Sequence, residues 1–133
     1  MKGVVVTTDN QVEIRDFGEP LYKTVGEAVG GYIEIVHPMG LVDPLVMIVN
    51  EEGLLHELPV NLIGSLLYGA FYHGQTIVGN IVVMKEGMTI DGPDLVGLED
   101  GEAEKLAEKF KDFLTLRSMS KEKEDKSERA TTL

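Results

Sequence analysis

The sequence predicts an α+β fold: a mostly antiparallel sheet of five or six strands, packed by two short helices and a C-terminal amphipathic helix. Three observations predict it. Short β-branched runs alternate with turn residues, two short apolar stripes have helical spacing, and a longer stripe follows within residues 98–117. With 133 residues, 43% of them hydrophobic, the chain is long enough to bury one ordinary core.

The N-terminal part is predicted as a hairpin followed by a helix. Residues 3–8 and 12–15 are the two strands, and Asp9-Asn10 forms the turn because both residues tolerate positive φ. The second strand has one charged face, which places it near an edge of the sheet. Residues 20–29 have apolar side chains at i, i+4, i+7 and i+8, a helical stripe that Gly30-Gly31 ends.

The middle of the chain contains two predicted strands, a turn and a second helix. Residues 45–49 are apolar throughout, which indicates a central strand buried on both faces, and residues 32–36 form a strand before it. A turn at residues 50–53 closes on a glycine, residues 54–57 return as a short strand, and Pro59 opens a buried helix that reaches residue 70.

The C-terminal part is predicted as a last strand, a connector, a helix and a tail. The strand covers residues 76–84 with a bulge at Gly79-Asn80, and residues 85–97 form a connector that completes a core domain of residues 1–97. The helix of residues 98–117 packs on this core or on a second copy of the chain, which makes a homodimer possible. Residues 118–133 are charged and poor in apolar groups, so we expect them to be unstructured without a partner.

The net charge of −11 is unevenly distributed. Residues 1–97 hold four cationic and thirteen acidic side chains, whereas residues 98–133 hold eight and ten. Such a surface repels nucleic acid and anionic membranes. It suits a basic protein partner, a cationic ligand or simply solubility. The chain has no cysteine, which excludes disulfides and thiolate sites and fits a cytoplasmic protein, and no apolar run approaches the length of a membrane span.

Four segments, taken in order and spacing, carry a family resemblance. They are Val29-Gly30-Gly31-Tyr32-Ile33-Glu34, the run from Val49-Asn50-Glu51-Glu52-Gly53 to Leu58-Pro59-Val60-Asn61, Ile77-Val78-Gly79-Asn80-Ile81-Val82-Val83, and the run from Leu98 to Glu108-Lys109-Phe110. Over roughly residues 20–113 the chain resembles small uncharacterised proteins of bacteriophages, plasmids and their bacterial hosts, which share a domain of unknown function. The N-terminal hairpin and the charged tail depart from that pattern. The resemblance implies a mobile-element context and no particular reaction.

Much of the polar chemistry lies in residues 50–61. Within this segment the candidate ligand-binding residues are Asn50, Glu51, Glu52, His56 and Asn61. With Glu57, the carboxylates could act as general acids or bases, or could bind a hard cation. The alternative is architectural: the acids lie on a solvated turn, Asn50 forms the turn, and Asn61 caps or braces the helix that follows.

A second candidate lies at the other end of the same helix. Tyr68, Tyr72 and His73, together with Tyr32, could line a pocket that stacks a flat ring. Core and loop packing is the favoured explanation of these residues. The three histidines lack the short spacing of a metal-ligand cluster. The sequence therefore predicts no metal, no cofactor and no catalytic residue.

Three functions remain open at this stage. The first is a non-catalytic binding module of a phage or mobile element that occupies a host protein or sequesters a small molecule, for example in counter-defence. The second is an acidic DNA mimic that blocks a nucleic-acid enzyme. The third is a small hydrolase or transferase that uses Glu51, Glu52 or Glu57.

Overall fold

The computed structural model describes the backbone of residues 1–70 and 74–131, and the side chains of residues 1–70 and 74–118. This part of the chain contains six strands and three helices, which confirms the predicted α+β class. In chain order the elements are β1 (Lys2–Val6), β2 (Val12–Asp16), α1 (Leu21–Val29), β3 (Ile33–Val36), β4 (Leu45–Asn50), α2 (Leu62–Tyr68), β5 (Ile81–Thr89), β6 (Gly92–Val96) and α3 (Asp100–Thr131).

The strands form one antiparallel sheet in the order β2-β1-β5-β4-β3. The sixth strand, β6, pairs with the second half of β5, beyond the part of β5 that pairs with β1. An isolated antiparallel β-bridge between Lys2 and Leu98 joins the start of β1 to the segment that follows β6. Strands β2 and β3 therefore form the two ends of the sheet order, which confirms that the charged second strand lies at an edge.

Helices cover both faces of the sheet. Residues of β4 and β5 such as Met47, Ile48, Ile81 and Val82 have no exposed surface, and alternate residues of each strand belong to different faces. One face packs against α2 and α3 through Ile63, Ala103, Ala107 and Phe110. The other face packs against α1 through Val25, Ala28 and Val29, with Phe17 and Leu95 beside them.

The local signals of the first half are confirmed. Asn10 has the positive φ (66°) that the hairpin turn requires. Helix α1 follows Pro20 and ends at Gly30, whose φ is 87° and whose N–H donates to the carbonyl of Gly26 at 2.8 Å. Strand β4 is buried on both faces, as its apolar sequence predicts.

The segment after β4 differs from the prediction. Residues 54–57 form successive turns instead of a strand, because Leu54 and Leu55 are exposed and no strand of the described chain pairs with them. Gly53 does not adopt positive φ; a side chain there would clash, since a Cβ would lie 2.8 Å from Cγ2 of Val78. Helix α2 begins at Leu62, and Pro59 lies outside it, where its carbonyl accepts the N–H of Gly79 at 2.8 Å.

The predicted connector over residues 85–97 is also wrong, because these residues complete β5 and form β6. A turn in which Gly92 has a φ of 108° returns the chain, so Asp91-Gly92 is a hairpin signal. The hydrophobic pattern does not indicate this hairpin, because Leu95 is the one buried residue of β6 and a single apolar position sets no strand period. The last predicted strand correspondingly begins later, at Ile81, after Gly79 with a φ of 81°.

Helix α3 extends beyond the predicted end at residue 117 and reaches Thr131. Residues 118–131 contain neither glycine nor proline and are rich in lysine and glutamate, so no local signal ends the helix. That the tail lacks structure in solution without a partner stays a prediction. No described helix combines the length and the apolar character needed to cross a membrane.

Ion pairs attach the start of α3 to the sheet. The Lys85 ammonium lies 2.7 Å from Oε1 of Glu102, and that of Lys2 lies 2.6 Å from Oδ1 of Asp100. The hydrogen bond from Lys85 is the main cause that lowers the pKa of Glu102, and a hydrogen bond from the N–H of Glu99 is the second. The same contact raises the pKa of Lys85.

Two helical glycines give a matched test of close packing. A Cβ on Gly26 of α1 would lie 2.9 Å from the carbonyl oxygen of Gly31, whereas a Cβ on Gly101 of α3 would meet nothing within 4 Å. Gly26→Ala should lower the free energy of unfolding by about 1–2 kcal/mol, and Gly101→Ala should leave it unchanged or raise it by up to about 1 kcal/mol. Urea unfolding measures both. Two alanines with the same effect would contradict the close approach at Gly26.

The Lys85–Glu102 pair predicts a pH dependence. Because the folded state lowers the pKa of Glu102, the pair stabilises the fold above the unfolded pKa of this carboxyl, and the benefit is lost as the pH falls. Glu102→Gln should therefore be less stable than the parent at pH 7, with a difference that shrinks between about pH 5 and pH 3. Glu108→Gln, which changes an exposed acid on the same helix, is the control. A Glu102→Gln difference that persists at pH 3 would contradict the assignment.

Candidate functional site

Asn50 has an architectural role at the end of β4. Its side chain is buried, its Nδ2 donates to the carbonyl of Val29 at 3.1 Å, and its Oδ1 accepts the N–H of Glu52 at 2.8 Å. A Cβ on Gly31 would come within 3.0 Å of this Nδ2, so the Gly30-Gly31 turn passes directly over the amide. Asn50 thus joins the end of α1 to the turn after β4, and its polar atoms are occupied.

Glu52 and His56 lie on the exposed tip of that turn. Oε2 of Glu52 and Nε2 of His56 are 3.1 Å apart, and both side chains are about half exposed. An ion pair at such a position contributes little to stability. The residues interact with each other and line neither of the two depressions described below.

Asn61 is fully buried and completely hydrogen-bonded, which confirms its predicted role as a helix cap. Its Oδ1 accepts the N–H of Gly64 at 2.8 Å, and its Nδ2 donates to the carbonyls of Val6 (2.9 Å) and Gly79 (3.0 Å). One side chain therefore ties α2 to β1 and to the segment before β5. Asn61 lines neither of the two depressions beside β3.

A cleft of about 390 Å³ opens on the face of the sheet that α2 and α3 cover. We call it the β3 cleft. Its walls are residues 34–37 on one side, residues 75–78 on the other, and the end of β4 with Tyr68 of α2 between them. Of the predicted site residues, the structure brings Asn50, Glu51 and Tyr68 together here.

The β3 cleft is acidic. Glu34 and Glu51 line it, and no lysine or arginine is among its described lining residues. His37 lies at one end, where its Nε2 is 3.1 Å from Oε1 of Glu86. Glu34 and His37 are not among the site residues that the sequence predicts. Glu34 did carry a signal, because it is the charged residue in the otherwise apolar Ile33-Glu34-Ile35-Val36 strand.

A second depression of about 540 Å³ lies on the opposite face of the sheet, beside α1. We call it the tyrosine groove, because Tyr22 and Tyr32 border it and both are 73% exposed. Its other walls are Lys23, Gly26 and Glu27 of α1, the Gly30-Gly31 turn, Ile33 and Glu51. Glu51 therefore lines both depressions, at the point where β3 begins. Tyr32 and Tyr68, predicted to share a pocket, line different ones.

Tyr72 and His73, the remaining predicted site residues, lie outside the described residues. Within the described chain, no group of three histidine, cysteine or acidic residues is arranged to hold a metal ion. Every buried side-chain nitrogen or oxygen of the described residues has a hydrogen-bond partner. The described site thus offers two open depressions lined by three exposed carboxylates, those of Glu27, Glu34 and Glu51.

Asn61 gives a sharp test of the architectural interpretation. Asn61→Ala should lower the free energy of unfolding by about 3 kcal/mol, because it removes the cap of α2 and leaves two buried carbonyls unpaired. The control is Asn80→Ala, whose amide makes longer bonds to the N–H of Thr8 (3.2 Å) and the carbonyl of Ala28 (3.4 Å). That variant should lose about 1 kcal/mol in the same urea titration. Equal losses would contradict the special role of Asn61.

Comparison with known proteins yields one family. No curated protein and no solved structure matches the chain significantly. The family model described as "Domain of unknown function (DUF3846)" matches residues 1–111. This match begins at the first residue, so the N-terminal hairpin is part of the family pattern and the expectation that it departs from that pattern is wrong. The chain belongs to the DUF3846 family of domains of unknown function.

Proposed function

We propose that this chain is a non-catalytic binding module that takes a cationic group into the β3 cleft. The observation that carries the proposal is that Glu34 and Glu51 line the same cleft, whose described lining holds no lysine or arginine. A cation with N–H donors would replace water on both carboxylates by charge-assisted hydrogen bonds. Gln75 and Thr76 line the same cleft and are polar residues.

The cationic group would belong to a host protein or to a small molecule that the chain sequesters. The family resemblance suggests a phage or other mobile element as the setting, and counter-defence as one use of such binding. The overall charge of −11 supports the same class of partner, because it attracts basic molecules over a distance that salt shortens.

The other two functions have less support. A DNA mimic needs carboxylates along one face, whereas exposed acids here lie on α1 at one face of the sheet (Glu27) and on α3 at the other (Glu104, Glu108). A hydrolase needs an acid and a base around one pocket. Glu51 lines the cleft, but Glu52 pairs with His56 on the turn, and Glu57 does not line the cleft.

A double variant tests the proposal. Glu34→Gln with Glu51→Gln should weaken the binding of argininamide or spermidine by about tenfold or more, because it replaces two charge-assisted hydrogen bonds with weaker neutral ones, and a tenfold loss corresponds to about 1.4 kcal/mol. Isothermal titration calorimetry at low salt measures the affinity, and urea unfolding verifies that the variant is folded.

The matched control carries Glu104→Gln and Glu108→Gln, the same loss of charge on the exposed face of α3. It should keep the parent affinity to within about twofold, since these carboxylates do not line the cleft. Equal weakening by the two double variants, or no binding of either cation to the parent, would refute the proposal.

A further inference from the structure

Strand β3 offers an open edge. Within the described chain it pairs with β4 alone, and it lies at the end of the sheet order. The N–H of Glu51 donates to the carbonyl of Tyr32 at 2.9 Å, and Ile33 lies opposite Asn50. In an antiparallel ladder, hydrogen-bonded and non-hydrogen-bonded pairs alternate. The N–H and C=O groups of Ile33 and Ile35 therefore point away from β4, towards the open edge.

The two depressions flank this edge on opposite faces of the sheet. Glu34 lies opposite Val49 and lines the β3 cleft, whereas Ile33 lines the tyrosine groove, and Glu51 lines both. Successive side chains of a strand point to opposite faces. A strand added beside β3 would consequently direct alternate side chains towards the acidic cleft and towards the groove that Tyr22 and Tyr32 border.

We infer that the partner contributes an extended segment that adds to β3 as a further antiparallel or parallel strand, with cationic and apolar side chains in alternation. This inference rests on the proposed function and names the form in which the cationic group arrives. Backbone bonds to Ile33 and Ile35 would supply affinity. Glu34 and Glu51 would select lysine or arginine on one face, and the tyrosine groove would select apolar side chains on the other.

A second copy of the chain is a poorer occupant of this edge. Two β3 strands paired about a twofold axis would bring their Glu34 carboxylates close together on the same face, and like charges across a strand pair are destabilising. A basic segment instead neutralises them. The other sheet edge is protected: β2 packs against α3 and carries an ion pair between Arg15 and Glu13.

The test uses a synthetic peptide of about eight residues in which arginine and valine alternate. Such a peptide is longer than the four residues of β3 and can pair along the whole strand. Two further peptides carry backbone N-methyl groups on the odd or on the even residues, and a fourth replaces arginine with glutamate. We expect the parent peptide to bind, one methylated peptide to lose about tenfold or more in affinity, and the other to stay within about twofold, because alternate N–H groups face β3. The glutamate peptide should not bind.

Hydrogen exchange supplies an internal control. Peptide binding should slow exchange of the N–H groups of Ile33 and Ile35 by about tenfold or more, while those of Glu34 and Val36, already in the ladder with β4, should change little. This readout needs no variant, so misfolding cannot imitate it.

The outcomes distinguish the failure of strand addition from the failure of the proposed cation-binding function. One outcome is that both methylated peptides bind as tightly as the unmethylated peptide, and that the Glu34→Gln, Glu51→Gln variant still binds all three more weakly. Strand addition is then overturned, and the cationic cleft stands. If neither argininamide nor any peptide binds, the proposed function fails and the inference with it. Self-association through β3 in place of peptide binding, detected by sedimentation and by protection of Ile33 and Ile35 that grows with protein concentration, would also overturn the inference.

Discussion

The structure depends on one constraint: β4 and residues 81–84 of β5 are apolar on both faces, so both faces of the sheet must be covered. Residues such as Met47, Ile48, Ile81 and Val82 have no exposed surface. Removing them from water is the main favourable contribution to folding, and it requires α1 on one face and α2 with α3 on the other. The helices cover the middle of the sheet more completely than the β3 end. The two depressions flank β3 because of this arrangement.

Buried polar groups bind the layers together without forming a site. Asn50 connects α1 to the turn after β4, and Asn61 connects α2 to β1 and to the segment before β5. Ser65 adds a third connection, since its Oγ accepts the N–H of Ile77 at 2.9 Å. A buried amide or hydroxyl is tolerated only when its bonds are made, and here they are. The segment of residues 50–61, with the densest polar chemistry in the sequence, is therefore mainly architectural.

The sequence predicted the elements that carry local signals and missed those that depend on distant neighbours. The turn at Asn10, the cap of α1 at Gly30 and the cap of α2 at Asn61 each involve residues close in the chain, and all three predictions are confirmed. Strand β6 was missed because Leu95 is its one buried residue and its position depends on pairing with β5. The β3 cleft was missed for a related reason. Glu34, Tyr68 and residues 75–78 meet only because the sheet order places them together.

The distribution of cations explains why the cleft remains acidic. Residues 1–97 contain four cationic side chains, and three of them lie in ion pairs outside the cleft: Lys2 with Asp100, Arg15 with Glu13 and Lys85 with Glu102. The fourth, Lys23, lines the tyrosine groove on the opposite face. None of these cations lines the β3 cleft, so none neutralises Glu34 there. The proposed binding of a basic group follows from this arrangement, because a cation would supply the charge-assisted hydrogen bonds that no described lysine or arginine of the cleft provides.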